Sequence, residues 1–144
     1  TATVGDVTVR AFPTLHDSRA SVGYRFEFGG ISVGYMTDTG CVTDRMEQML
    51  SGCEAVVLES NHDEQLLLSG PYPYELKLRI RSNWGHLSNR DAAALAARLV
   101  AEPRDITMLV GTVGEPVARA GARMPAAAGG AERSAASAMG GALL

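Results

Sequence analysis

No stretch of this sequence approaches the roughly 20 consecutive apolar residues that a membrane-spanning helix needs, so no membrane partner is expected. Cysteine is scarce: only Cys41 and Cys53 occur, at a spacing that fits neither a C-x-x-C redox pair nor a zinc finger. The expectation is two reduced, partly buried thiols in a cytoplasmic protein. Positive charge is not in excess either. Thirteen Lys and Arg face sixteen Asp and Glu, for a net charge of −3. No global basic field draws the chain onto nucleic acid, and any such contact needs a local patch. No charged, apolar and cleavage-site pattern opens the chain, so no secretion signal is expected. The first residue is Thr1 rather than Met, as in a processed product or a fragment.

What is present suits one globular domain of 144 residues, 46% hydrophobic and 20% charged. Alternation in "DVTVRAFPT" predicts a strand through Val7, Val9 and Ala11. "VGYRFEF" alternates with Val22, Tyr24, Phe26 and Phe28 on one face, and Gly29-Gly30 turns it into a partner strand, "ISVGYMTD". Thr43 caps a short helix bearing Met46, Met49 and Leu50, which Gly52 ends. "EAVVLES" reads as a strand buried on both faces, because its apolar run is continuous. Ser60 and Asp63 suggest a capping box for "NHDEQLLLSG", and "YELKLRIRS" fits either strand or helix. Ser88 and Asp91 cap a helix whose apolar stripe is Ala92, Leu95, Ala96, Leu99 and Val100. "DITMLVG" reads as a last buried strand. The order of elements predicts α/β layering, a sheet under helices.

From 113 to 144 the character changes. Ala and Gly make up 17 of these 32 residues, with no periodic apolar face. Residues 1–112 are therefore expected to form the domain and 113–144 a mostly disordered tail, since small side chains bury too little to offset ordering entropy.

All three histidines fall in polar bursts: "LHDSRASVGY" with His16, "ESNHD" with His62, and "WGHLSN" with His86. An out-and-back hairpin returns the chain to the sheet edge it left, so His16 and Asp38 can meet there. A histidine nitrogen and a carboxylate oxygen suit Zn²⁺, Mn²⁺ or Fe, with Asp17 able to orient His16. The alternative is a loop histidine beside a turn-forming Asp. Strand ends carry the sites of open α/β sheets, so Glu59, Asn61, His62 and Asp63 are candidates to line the same cleft, with helix capping the alternative. His86 can donate a proton or bind a phosphate oxygen; its alternative is a structural hydrogen bond. Lys77, Arg79 and Arg81 are candidate phosphate contacts, or a solvated face.

Taken together, "HDSRASVGYRFEFGGISVGYMTDTG", "VVLESNHDEQLLLSGPYP" and "LRIRSNWGHLSN" resemble the metallo-β-lactamase superfamily, and within it the YycJ/WalJ branch of bacterial metal-dependent hydrolases. The resemblance runs from about Val4 to Ile106 and rests on the order of three motifs. It implies one half of an αββα sandwich with metals at the sheet edges. It makes His16 a metal ligand, Asp38 a carboxylate bridging two divalent ions, Zn or Mn, and His86 the catalytic histidine. It implies hydrolysis of phosphodiester bonds by a two-metal site, as in a 5′ exonuclease acting on DNA. The superfamily's H-x-H-x-D-H motif is missing, and no histidine follows His86. A truncated piece of a longer protein is the expectation, inactive alone. The other readings are a non-catalytic half-domain and a hydrolase of a small cyclic phosphodiester or an ester. Half a sandwich exposes an apolar sheet face, so self-association is expected.

Overall fold

A computed structural model of the chain describes residues 1–101 and 107–111, the last four by backbone alone. The expected tail, 113–144, lies outside the described residues. Six strands form one mixed sheet in sequence order: β1 (Ala2–Val4), β2 (Val7–Pro13), β3 (Val22–Phe28), β4 (Ile31–Met36), β5 (Ala55–Glu59) and β6 (Thr107–Gly111). β1 to β4 run antiparallel, and β4, β5 and β6 are parallel. Gly29 and Gly30 take φ of 58° and 82°, the backbone that a two-residue hairpin turn demands. β1 was not anticipated, since its three exposed residues carry no alternation.

Four helices follow: α1 (Asp44–Leu50), α2 (Glu64–Ser69), α3 (Tyr74–Arg81) and α4 (Asn89–Val100). Thr43 accepts a bond from the Met46 amide at the start of α1. Ser88 does the same for the Asp91 amide at α4, and its hydroxyl donates back to the Asp91 carboxylate. The segment that fitted either period is helix α3, and it contributes no buried residue.

The core lies on one side of the sheet. Phe12, Met36, Val56 and Leu58 point into it from β2, β4 and β5, and Met46, Leu50, Leu87, Ala92, Leu95 and Leu99 meet them from the helical layer. Two expectations change here. Val100 is 41% exposed, because the buried stripe of α4 narrows to Ala92, Leu95 and Leu99, and Val100 lies on its flank. β5 is sealed on one face only. Val56 and Leu58 are buried, whereas Ala55 and Val57 are half-buried on the side that no helix of the described residues covers. The alternation of side chains across the sheet puts Phe26, Phe28, Ile31, Val33 and Tyr35 on that same side. The architecture is one helix-covered sheet of an αββα sandwich.

Candidate metal centre

The site is built where the parallel strands β4 and β5 end. Backbone ties bring its parts together. After β2, the Leu15 amide donates to Thr39 Oγ1, and the Leu15 carbonyl accepts from the Gly40 amide at 2.8 Å. Ser21 Oγ donates to the Asp38 carbonyl. The chain after β2 and the chain after β4 are thereby held side by side, which is why His16 and Asp38 meet across 22 positions of sequence. Asp38 reaches this place with a left-handed φ of 50°, a conformation Asp tolerates better than most residues.

The later segments are joined to each other in the same way. The Asn61 amide donates to the Leu87 carbonyl, and the Asn89 amide to the His62 carbonyl. The loop before α4 folds back on α3, with the His86 amide bonded to the Ile80 carbonyl at 2.9 Å. A side chain on Gly85 would stand 2.2 Å from the carbonyl oxygens of Arg79 and Ile80, so only glycine fits this fold-back. Gly40 is equally confined, against the backbone of Ser82 and Asn83.

His16, Asp38 and His86 converge so that one donor atom of each lies within 4.8 Å of the others. The two rings sit 4.9 Å apart, tilted by 57°. His16 Nδ1 donates to the Gly85 carbonyl at 2.8 Å, which leaves Nε2 with a free lone pair. His86 Nδ1 donates to Glu59 Oε1 at 2.6 Å, because a carboxylate only accepts. Glu59, at the end of β5, is 1% exposed, and it also takes the amides of Thr39 and Leu87 at 3.3 Å each. The Glu59 hydrogen bond raises the His86 pKa above the ordinary histidine value, more than burial lowers it. His16 Nε2, its ring fixed by a backbone carbonyl, and the Asp38 carboxylate are donors that fit a divalent ion, and His86, its ring fixed by the Glu59 carboxylate, stands beside them.

The residue match carries the same implication. Residues 1–108 match the family model of the beta-lactamase superfamily domain. The chain belongs to this superfamily. It is 40% identical over 100 residues to exodeoxyribonuclease YycJ of Bacillus anthracis, covering 69% of this chain and 38% of that protein. It is 42% identical over 98 residues to exodeoxyribonuclease WalJ of Streptococcus pneumoniae serotype 2, covering 68% and 36%. The chain thus spans little more than a third of the length of these relatives. The metallo-β-lactamase fold protein YhfI of Bacillus subtilis shares the fold, with a TM-score of 0.50 at 18% identity over 68% of this chain and 35% of that one. Superfamily membership and the likeness to YhfI give the chain part of the metallo-β-lactamase fold.

Beside the cluster lies a cavity of about 230 Å³, walled by His16, Asp17, Asn61, Leu76, Arg79, Ile80, Gly85 and His86. Asp17 stands 3.5 Å from His16 Nε2 and accepts a hydrogen bond from Arg79 Nε. That bond from Arg79 holds the Asp17 carboxyl below the usual carboxylate range. Asn61 faces the cavity, and its Nδ2 lies 3.5 Å from Glu59 Oε1.

The remaining candidates stand elsewhere. His62 is 7% exposed and lies outside the cavity wall, paired through its backbone with Ser88. Its Nδ1 has no hydrogen-bond partner among the described residues, and burial lowers its pKa. Asp63 is the N-cap of α2, accepting from the Gln65 and Leu66 amides. Ser60, expected in that capping box, instead donates to Asn89 Oδ1, because the helix starts after Asp63, three residues beyond it. Lys77 Nζ donates to the Leu68 carbonyl at the end of α2, and Arg81 lies 3.9 Å from Glu64. Neither lines the cavity, since both point along the α2–α3 hairpin; of the three basic candidates Arg79 alone does. The site residue that sequence reasoning passed over is Gly85, whose carbonyl orients His16; its adjacency to His86 was the available signal.

Proposed function

We propose that this chain carries one wall of a metal-dependent phosphodiesterase site whose substrate is DNA. The observation that carries the reading is the convergence of His16, Asp38 and His86 with the buried Glu59 behind His86. His16 Nε2 and the Asp38 carboxylate would hold a divalent ion, Zn²⁺ or Mn²⁺, as part of a two-ion site. When bound, such an ion polarises the attacking water and offsets charge developing on the phosphate. His86 serves as the general acid. Glu59 fixes its ring and favours the imidazolium, so that Nε2–H is available to the departing oxygen. Arg79, turning from Asp17, contacts a phosphate oxygen in the cavity. Leu76 and Ile80 give the adjoining sugar an apolar wall. The names of the YycJ and WalJ relatives support DNA as substrate and exonucleolytic cleavage. Cleavage from the 5′ end is carried by the family resemblance alone. The free cysteines agree with a cytoplasmic setting.

A second reading is a half-domain with no turnover of its own, favoured by an apolar sheet face that no described residue covers. Metal content and hydrolysis of bis-p-nitrophenyl phosphate separate the two. Under the first reading the chain retains stoichiometric Zn²⁺ or Mn²⁺, and Asp38→Ala abolishes both retention and turnover. A chain that retains no ion and hydrolyses nothing is the half-domain.

A further inference from the structure

Thr39 is wholly buried. A hydroxyl out of water is costly unless it is hydrogen-bonded, and this one is used in both senses. Thr39 Oγ1 accepts from the Leu15 amide at 3.2 Å and donates to the Cys41 carbonyl at 2.8 Å. The Thr39 amide donates to Glu59 Oε2. These bonds reach the surroundings of all three converging side chains: Leu15 precedes His16, Asp38 precedes Thr39, and Glu59 holds the His86 ring. The first of them adds something that the backbone does not supply. The Leu15 carbonyl is already tied to the Gly40 amide, and one tie leaves the segment free to pivot. The second, from the Leu15 amide to Thr39 Oγ1, fixes its rotation and so the direction in which His16 leaves it. On the other side of Asp38, Ser21 Oγ holds the Asp38 carbonyl. A residue at a left-handed φ of 50° keeps that conformation only where its surroundings over-determine it, and Ser21 and Thr39 do so from either flank.

We propose that Thr39 is a positioning residue of the metal centre. Its hydroxyl sets the aim of His16 Nε2 against the Asp38 carboxylate, and its amide seats Glu59 behind His86. The inference rests on the metal-site reading and deepens it by naming what holds the donors in register. Thr39 touches neither ion nor substrate and acts through the residues on either side of it. A methyl in place of the hydroxyl would leave the Leu15 amide and the Cys41 carbonyl without that partner, and the segment bearing His16 would pivot about its remaining tie.

Two measurements test this, one of them without metal. In the metal-free, isotope-labelled chain, the NMR signals of the His16 and His86 ring nitrogens are expected to shift in Thr39→Val and to return in Thr39→Ser. Leu99→Val, a loss of packing toward the far end of α4, is expected to lower stability and leave the ring signals in place. In calorimetric titration Thr39→Val should bind Zn²⁺ about 10- to 100-fold more weakly than the unaltered chain, the usual cost of losing a group that orients a ligand, with Thr39→Ser recovering most of the loss. Ring signals that stay in place in Thr39→Val, or that move as far in Leu99→Val, overturn the proposal, and so does a Thr39→Ser as impaired as Thr39→Val. If Thr39→Val does not fold, hydrogen exchange of the Leu15 amide in the unaltered chain decides: strong protection supports the proposal, and exchange as fast as that of exposed amides overturns it. An unaltered chain that binds no Zn²⁺ removes the metal reading, and the ring signals then decide the role of Thr39 alone.

Discussion

A carboxylate at 1% exposure is costly unless its oxygens are bonded, and Glu59 meets that condition with His86 and the amides of Thr39 and Leu87. The sequence marked Glu59 as the polar end of an apolar strand. It did not show which group the carboxylate would meet, because His86 lies 27 positions away and reaches it through the fold-back of the loop on α3. His62 shows the converse. Its place in "ESNHD" suggested a cleft residue, yet the backbone pairing with Ser88 turns it inward. The two histidines respond to pH with opposite sign. His62 has a folded pKa below its unfolded value, chiefly through burial, so it contributes stability above pH 6.5 that is lost as pH falls through the folded value. Glu64 and Glu59 oppose that shift, and His86 and Arg81 add to it. His86 has a raised folded pKa, so its contribution is complete below pH 6.5 and is lost as pH rises through the folded value. Urea unfolding at pH 8 and pH 5 is expected to show a smaller acid-side loss in His62→Leu than in the unaltered chain. A loss of unchanged size would show that protonation of His62 is not its source.

Among the elements, those with a complete local signature were legible. The β3–β4 hairpin has alternation and a Gly-Gly turn, α1 and α4 have side-chain caps, and all three stand where the spacing put them. α3 was not legible, because Leu76, Leu78 and Ile80 fit a period of two as well as a helix and no cap residue precedes them. Its helical form matters to the site. The last turn of α3 presents Arg79 to the cavity and offers the Ile80 carbonyl to the His86 amide. The close seat of Gly85 under that turn makes a test at this scale. In Gly85→Ala the new methyl meets backbone oxygens, which cannot move aside without shifting α3. The variant is expected to be destabilised by about 1–3 kcal/mol, the usual cost of overpacking. It should also lose affinity for Zn²⁺, since the same carbonyl orients His16. Calorimetric unfolding and metal titration together check this. A variant with unaltered Tm and unaltered affinity would mean that the loop is looser than its packing indicates.

At the scale of the molecule the unresolved matter is the sheet face opposite the helices. Val7, Phe26, Phe28, Ile31 and Val33 line a wholly apolar hollow there, and Phe28 and Ile31 are each 57% exposed. The relatives extend over more than twice the matched length, so this face has protein available to cover it in them and none from the described residues here. Burying one Phe or Ile side chain contributes about 1.5–3 kcal/mol, so a few such contacts are enough to hold copies together. A patch of this kind on an otherwise ordinary surface marks an interaction site. We expect the isolated chain to elute from size exclusion as a dimer or larger species that dissociates on dilution. The double substitution Phe28→Asp, Ile31→Lys should shift it to monomer. Both side chains sit at the hairpin tip, away from the core cluster, so the fold should persist by circular dichroism. A compact monomer at all concentrations in the unaltered chain would show that the apolar face is satisfied within the chain itself. Association that survives the double substitution would place the contact elsewhere, with the unpaired edge of β1 the first alternative.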